Sequence, residues 1–182
     1  MSWGLWTTLL VVGVLVVWYL STTAARLDRL NKRVETSLHS LDTQLLRRVS
    51  LATEVAASGL LDPVSAAVLA DAAHEVRVAP QDHSQERALA ESNLSRVLGA
   101  LFDDPEDVGG MRTMPGGMEL AEELDVATRR LAMSRRFLND GIRANRDLRR
   151  QRLVRWFRLA GTSTPPETFE FDDEPPRGFG SR

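Results

Sequence analysis

Apolar positions are laid out along the chain in three different ways. From Ser2 to Ala25 no charged side chain occurs, and Trp3 to Leu20 is a nearly unbroken apolar run holding ten Leu and Val residues. A helix apolar on every side suits hydrocarbon rather than a water-facing surface. As a helix this run rises about 27 Å, close to the ~30 Å of a bilayer core. Each Leu or Val there favours insertion by about 0.3–0.6 kcal/mol. Beyond Ala25 the pattern becomes a stripe, with Leu27, Leu30, Val34, Leu38, Leu41, Leu45, Val49, Ala52 and Val55 three and four residues apart. That spacing predicts an amphipathic helix with a bundle seam.

Further helices are bounded by turn chemistry. Gly59 weakens the end of the first, and Asp62-Pro63 supplies an N-cap with proline at the first helical position, so a second helix is expected over about 63–77. Pro80-Gln81-Asp82 predicts a turn, with Asp82 capping a third helix that carries Leu89, Leu94, Val97, Leu98 and Leu101 and ends at Asp103-Asp104-Pro105. Residues 103–117 hold six Gly and Pro residues and are expected to be an exposed, mobile loop. Leu120, Leu124, Ala127, Leu131, Leu138, Ile142 and Trp156 share one face of a last helix reaching about residue 158, expected to be the longest. Residues 162–182 are acidic and rich in Gly and Pro, so a disordered tail is expected. No run of alternating apolar and polar residues is evident, and strands are not expected. The resulting fold class is all-α: a transmembrane anchor (1–25), an antiparallel bundle of three to four helices with long first and last members (26–161), and the tail (162–182).

Composition changes this picture little, and charge changes it more. Length (182 residues) suffices for one anchor and one domain with its own core. Cysteine is absent, which excludes disulfides, thiolate nucleophiles, cysteine-ligated zinc and lipidated cysteine. The net charge of −2 hides segregation, with basic residues crowding 129–158 and acidic residues crowding 103–125 and 167–174. Trp3 and Trp6 stand at one end of the apolar run and Trp18 and Tyr19 at the other, where amphipathic rings suit the two membrane interfaces. No Lys or Arg precedes the run, whereas Arg26, Arg29, Lys32 and Arg33 follow it. A cleavable signal peptide would place its basic residues first. The positive-inside rule puts the N terminus outside and the C-terminal domain in the cytoplasm.

Candidate chemistry is sparse. His74-Glu75 opens like a zinc-peptidase motif, but Val78 stands where the second histidine is required. His39, His74 and His83 fall on separate elements, and Met111, Met114 and Met118 have no thiolate beside them to hold copper. The Gly109-Gly110 and Gly116-Gly117 pairs lack both the Gly-Lys-Ser/Thr ending and the preceding strand of a phosphate loop. No catalytic residue, metal, cofactor or small-molecule substrate is therefore expected, nor an enzyme. Asp42 borders the seam of the first helix and Arg135 sits at a similar offset on the last, so the two form either a structural polar pair or two solvated charges. Arg129, Arg136, Arg143 and Arg150 recur every seven residues as one stripe opposite the apolar seam, widened by Arg146, Arg155 and Arg158. The stripe is a solvated face or an anion-binding one, and the acidic tail (Glu167, Glu170, Asp172, Asp173, Glu174) could mask it.

Three segments resemble the LemA family, bacterial inner-membrane proteins with one N-terminal span and an antiparallel helical bundle. Leu41-Asp42-Thr43-Gln44-Leu45-Leu46-Arg47-Arg48 is similar to the family's Ile-Asp-Val-Gln-Leu-Lys-Arg-Arg. Ser134-Arg135-Arg136-Phe137-Leu138-Asn139-Asp140-Gly141-Ile142-Arg143 resembles Ala-Arg-Arg-Tyr-Tyr-Asn-Asp-Ala-Val-Arg, and Leu159-Ala160-Gly161 with Phe169-Glu170 resembles the closing segment. Leu46 and Arg146 depart from the pattern. The resemblance implies location and architecture rather than an activity. Two functions are compatible with these features. The first is a non-enzymatic scaffold or adaptor in the inner membrane that recruits protein partners or self-associates. The second is a polyanion-binding module acting through the arginine-rich last helix, with anionic lipid the expected anion and nucleic acid disfavoured.

Overall fold

The computed structural model describes residues 2–151, 154, 156 and 167–180. Among these the protein is all-helical, with five α-helices and no strand. Helix α1 spans Ser2–Ala57, so the apolar run and the striped segment are one uninterrupted helix of 56 residues, roughly 84 Å long. It exceeds α5, which the sequence had marked as the longest. Its first part is long and apolar enough to cross a membrane. Gly59, in the left-handed conformation (φ 77°), turns the chain out of α1. Asp62 then caps α2 (Pro63–Val78), its Oδ1 accepting from Val64 N at 3.0 Å and Ser65 N at 3.2 Å. A hydrogen bond with the Ser65 side chain, followed by that from the Ser65 backbone N–H, holds the Asp62 carboxyl below its ordinary pKa.

Helix α3 spans Gln85–Phe102, and its cap is Ser84, which accepts from Arg87 N at 3.3 Å. Asp82, expected to be that cap, instead accepts from Ser84 N at 3.1 Å and shapes the turn before it. The predicted loop over 103–117 is largely a helix, α4 (Pro105–Thr113). Asp104-Pro105 repeats the cap-then-proline arrangement of Asp62-Pro63, and Asp104 accepts from Glu106 N at 2.8 Å. Val108 and Met111 provide a short buried stripe. Two of the glycines serve the junction to the next helix: Gly116 is left-handed (φ 75°), and a β-carbon on Gly117 would collide with the Met111 carbonyl. Helix α5 follows over Gly117–Arg150, with Met118 exposed at its start.

α1 and α5 pack side by side in opposite directions. Asn145 Nδ2 donates to Asn31 Oδ1 at 2.6 Å, a β-carbon on Gly141 would lie 3.4 Å from Val34, and Arg47 meets Glu123 at 3.1 Å. Three apolar clusters follow this seam. Nearest the exposed apolar run lie Leu27, Leu148 and Val154. Next come Val34, Leu41, Leu45, Leu131, Leu138 and Ile142, joined by Phe169 and Phe171. At the far end Val49, Ala52 and Val55 meet α2, α3, α4 and Phe179.

The expected disordered tail is therefore corrected over its described part. Residues 167–180 lie against the bundle and end in a 3₁₀ turn at Arg177–Gly180. Phe169, Phe171 and Phe179 are each buried. Three aromatic side chains supply the apolar burial that overall composition concealed.

Candidate interaction site

The most developed polar site is where α1, α3, α5 and the C-terminal segment meet. Arg48 falls on the buried seam of α1, three residues beyond Leu45, and is completely buried. It donates from Nη1 to Ser95 Oγ at 2.7 Å and from Nη2 to the buried Glu91 carboxylate at 2.5 Å. Arg87, one turn before Glu91 on α3, donates to the other Glu91 oxygen from Nε at 2.9 Å and to Val76 O from Nη1 at 3.1 Å. One carboxylate thus serves two arginines in a space shielded from water, which strengthens each hydrogen bond and makes loss of any partner costly. Arg48 Nε has no hydrogen-bond partner among the described residues.

Phe171 closes this chamber. Its ring centroid lies 6.0 Å from the Arg48 guanidinium carbon and 5.6 Å from that of Arg135, so it sits between two cations. Arg135, on α5, grips the segment bidentately, donating from Nε to Asp173 Oδ2 at 2.7 Å and from Nη2 to Asp173 Oδ1 at 2.8 Å. Its Nη1 donates to Glu170 Oε2 at 2.7 Å, and Asn139 Nδ2 donates to Glu170 Oε1 at 2.9 Å. The hydrogen bond to Asp173 is the first cause holding the Arg135 pKa above its ordinary value. On the α3 side, Asp172 N donates to Ser92 Oγ at 3.0 Å and Ser95 Oγ donates to Asp172 O at 2.6 Å. At the far end Arg177 N donates to Asp103 Oδ1 at 3.0 Å. A β-carbon on Gly178 would collide with the carbonyls of Phe102 and Asp104, so the segment fits closely there.

The predicted polar pair is therefore replaced by two others. Asp42 faces His83, with Oδ1 and Nε2 3.2 Å apart, and Arg135 faces Asp173 and Glu170. Helix offset alone placed Asp42 and Arg135 near one seam, but each is taken by a residue from outside the two helices. His83 also packs edge-on against Phe169, with ring centroids 5.0 Å apart. The buried Arg48–Glu91–Arg87 group was not anticipated. Its signal was present, since Arg48 continues the Leu41, Leu45 spacing and Glu91 lies between Arg87, Leu94 and Leu98 on one face.

Of the remaining sites, Arg129, Arg136, Arg143 and Arg150 are all exposed, as a solvent-facing stripe requires. Arg129 pairs with Asp125 at 2.6 Å, and Arg143 lies 3.6 Å from Asp140. Glu170 and Asp173 of the tail engage Arg135, outside the stripe, rather than masking it. Arg155 and Arg158 lie outside the described residues. Trp3, Trp6, Trp18 and Tyr19 are exposed, as are Arg26, Arg29, Lys32 and Arg33. Trp156, expected in the core, is also exposed, and it borders a groove of about 520 Å³ whose other walls are Val12, Leu15, Val16, Trp18, Tyr19 and Leu20. No group of His, Asp or Glu capable of holding a metal occurs among the described residues. Compared with known proteins, the chain matches no family model, no curated protein and no solved structure.

Proposed function

We propose that the chain is a membrane-tethered scaffold or adaptor, anchored by the first part of α1 with the helical bundle in the cytoplasm. The observation that carries this reading is the continuity of α1. Large apolar side chains from Trp3 to Trp18 are all exposed, and the same helix then buries Leu27, Val34, Leu41 and Leu45 against α5. A helix with that exposure needs an apolar surrounding, and an unbroken backbone couples the surrounding to the bundle without a flexible linker. Trp156 beside Trp18 and Tyr19 fits the same interface level from the end of the bundle. Arg26, Arg29, Lys32 and Arg33 on one side of the span favour the cytoplasmic orientation.

Membership of a LemA-like family is part of this proposal. It is supported by the meeting of the three resembling segments: Arg48 from 41–48, Arg135 and Asn139 from 134–143, and Phe169-Glu170 all contribute to the site around Phe171. A second reading, polyanion binding by Arg129, Arg136, Arg143 and Arg150, rests on their exposure along one face. The scaffold reading is tested by chemical crosslinking of the full chain in native membranes. It predicts a discrete crosslinked species, homo-oligomeric or with a protein partner, that persists in high salt. Only salt-sensitive lipid association, with no protein crosslink, would favour the polyanion reading instead.

A further inference from the structure

The segment 167–180 crosses the bundle in the manner of a bound ligand. Through its central part burial alternates strictly: Phe169, Phe171 and Asp173 point inward, whereas Glu170, Asp172 and Glu174 are exposed. That period of two is how an extended peptide presents one face to a groove. The surface beneath is two-sided: the phenylalanines join the apolar cluster of Leu41, Leu45, Leu131 and Leu138, while Ser92 and Ser95 of α3 and Arg135 and Asn139 of α5 hold the segment's backbone and carboxylates. Water can satisfy the polar groups when the segment leaves, and the apolar part of the surface rewards any segment that brings aromatic side chains to it. The charge is also one-sided, since Arg48, Arg87 and Arg135 converge here and the bundle supplies only Glu91 as their buried counterion.

We infer that this groove between α3 and α5 is a recognition site for an extended Phe-x-Phe-x-Asp segment of a partner polypeptide, and that the chain's own Phe169–Asp173 occupies it until displaced. Each element of the motif has its reader. The first phenylalanine belongs to the apolar cluster of Val34, Leu41, Leu45 and Leu138 and lies edge-on against His83. The second lies between two guanidiniums, which favour a π face there over an aliphatic side chain. The aspartate meets the Arg135 fork, whose paired donors select a carboxylate. The inference rests on the adaptor reading and specifies its partner. A tethered segment competes at an effective concentration in the millimolar range, so a partner in trans gains access only where it binds more tightly or the tail is weakened.

The test is fluorescence anisotropy with a labelled peptide of residues 167–176 and the full chain in detergent micelles. The wild-type chain should bind the peptide with an apparent Kd at or above the effective concentration, on the order of 1 mM. The chain carrying Phe171→Ala and Asp173→Ala, whose own segment is weakened, should bind at least tenfold more tightly. Adding Arg135→Ala to that chain, or replacing both phenylalanines of the peptide by serine, should remove the gain. Absence of tighter binding in the weakened chain, with its helical circular dichroism intact, overturns the inference. Should that variant unfold, Glu170→Gln with Asp173→Asn takes its place, and no gain there overturns it equally. A wild-type dimer that Phe171→Ala dissolves would contradict a foreign partner by showing exchange of tails between copies. Since micelles replace the bilayer, a failed peptide test leaves the anchor reading standing, and a failed anchor test leaves the groove standing.

Discussion

The two parts of α1 are equally helical and both carry many Leu and Val residues, yet they meet opposite surroundings. Trp3, Leu9, Leu10 and Trp18 are between 66% and 87% exposed, whereas Leu27, Val34, Leu41, Leu45 and Val55 are at most 4% exposed. What separates them is arrangement. An apolar surface all round has no partner helix that could cover it, while a stripe three and four residues apart is covered by one antiparallel neighbour. The second part also carries a polar exception, Arg48, which is tolerated on a buried seam because Glu91 and Ser95 reach it from α3.

The largest effect is expected from making the first part as polar as the exposed face of the second. Leu10→Arg with Val11→Arg places two charges near the middle of the span, each opposing insertion by about 2.5–3.5 kcal/mol. Fractionation should move the full chain out of the carbonate-resistant membrane pellet, and unchanged retention would mean that the span is not what holds it. Around the second part the largest effect should come from Glu91→Ala on α3, which removes the partner of Arg48. It leaves Arg48 and Arg87 without their carboxylate and should cost about 3–5 kcal/mol in denaturant unfolding, as loss of one member of a buried ion group does. A loss below 1 kcal/mol would show that water reaches the site.

Next in size is the tail clamp. Arg135→Ala and Asp173→Ala should each destabilise the fold, with a coupling of about 0.5–3 kcal/mol between them in a double-mutant cycle. Full additivity would mean that the fork does not hold the segment. Smallest is Arg136→Ala on the exposed stripe, expected to change stability by no more than about 0.5 kcal/mol.

These sizes also mark what the sequence made legible. The helical regions of α1, α2, α3 and α5 follow from apolar spacing and from Asp62-Pro63, because both act within one or two turns of chain. α4 was hidden because Gly and Pro at 105–117 signal a loop by composition, whereas Pro105 opens a helix, Gly109 and Gly110 lie inside it, and Gly116 precedes the next. The ordered tail was hidden for a different reason. Phe169-Glu170-Phe171-Asp172-Asp173 does alternate, but over too short a run to predict order without the groove made by Arg135, Asn139, Ser92 and Ser95. Pairing Asp42 with Arg135 failed because helix geometry specifies the face of a residue and not what a third segment brings to it.

The claim on which the account turns is that the first part of α1 crosses a membrane and leaves the bundle in the cytoplasm. Its most direct test is alkaline phosphatase fused after Arg182 in a bacterial host, an enzyme that becomes active only when exported. An inactive fusion is expected, alongside an active control carrying the same enzyme at the N terminus. Strong phosphatase activity from the C-terminal fusion would contradict it.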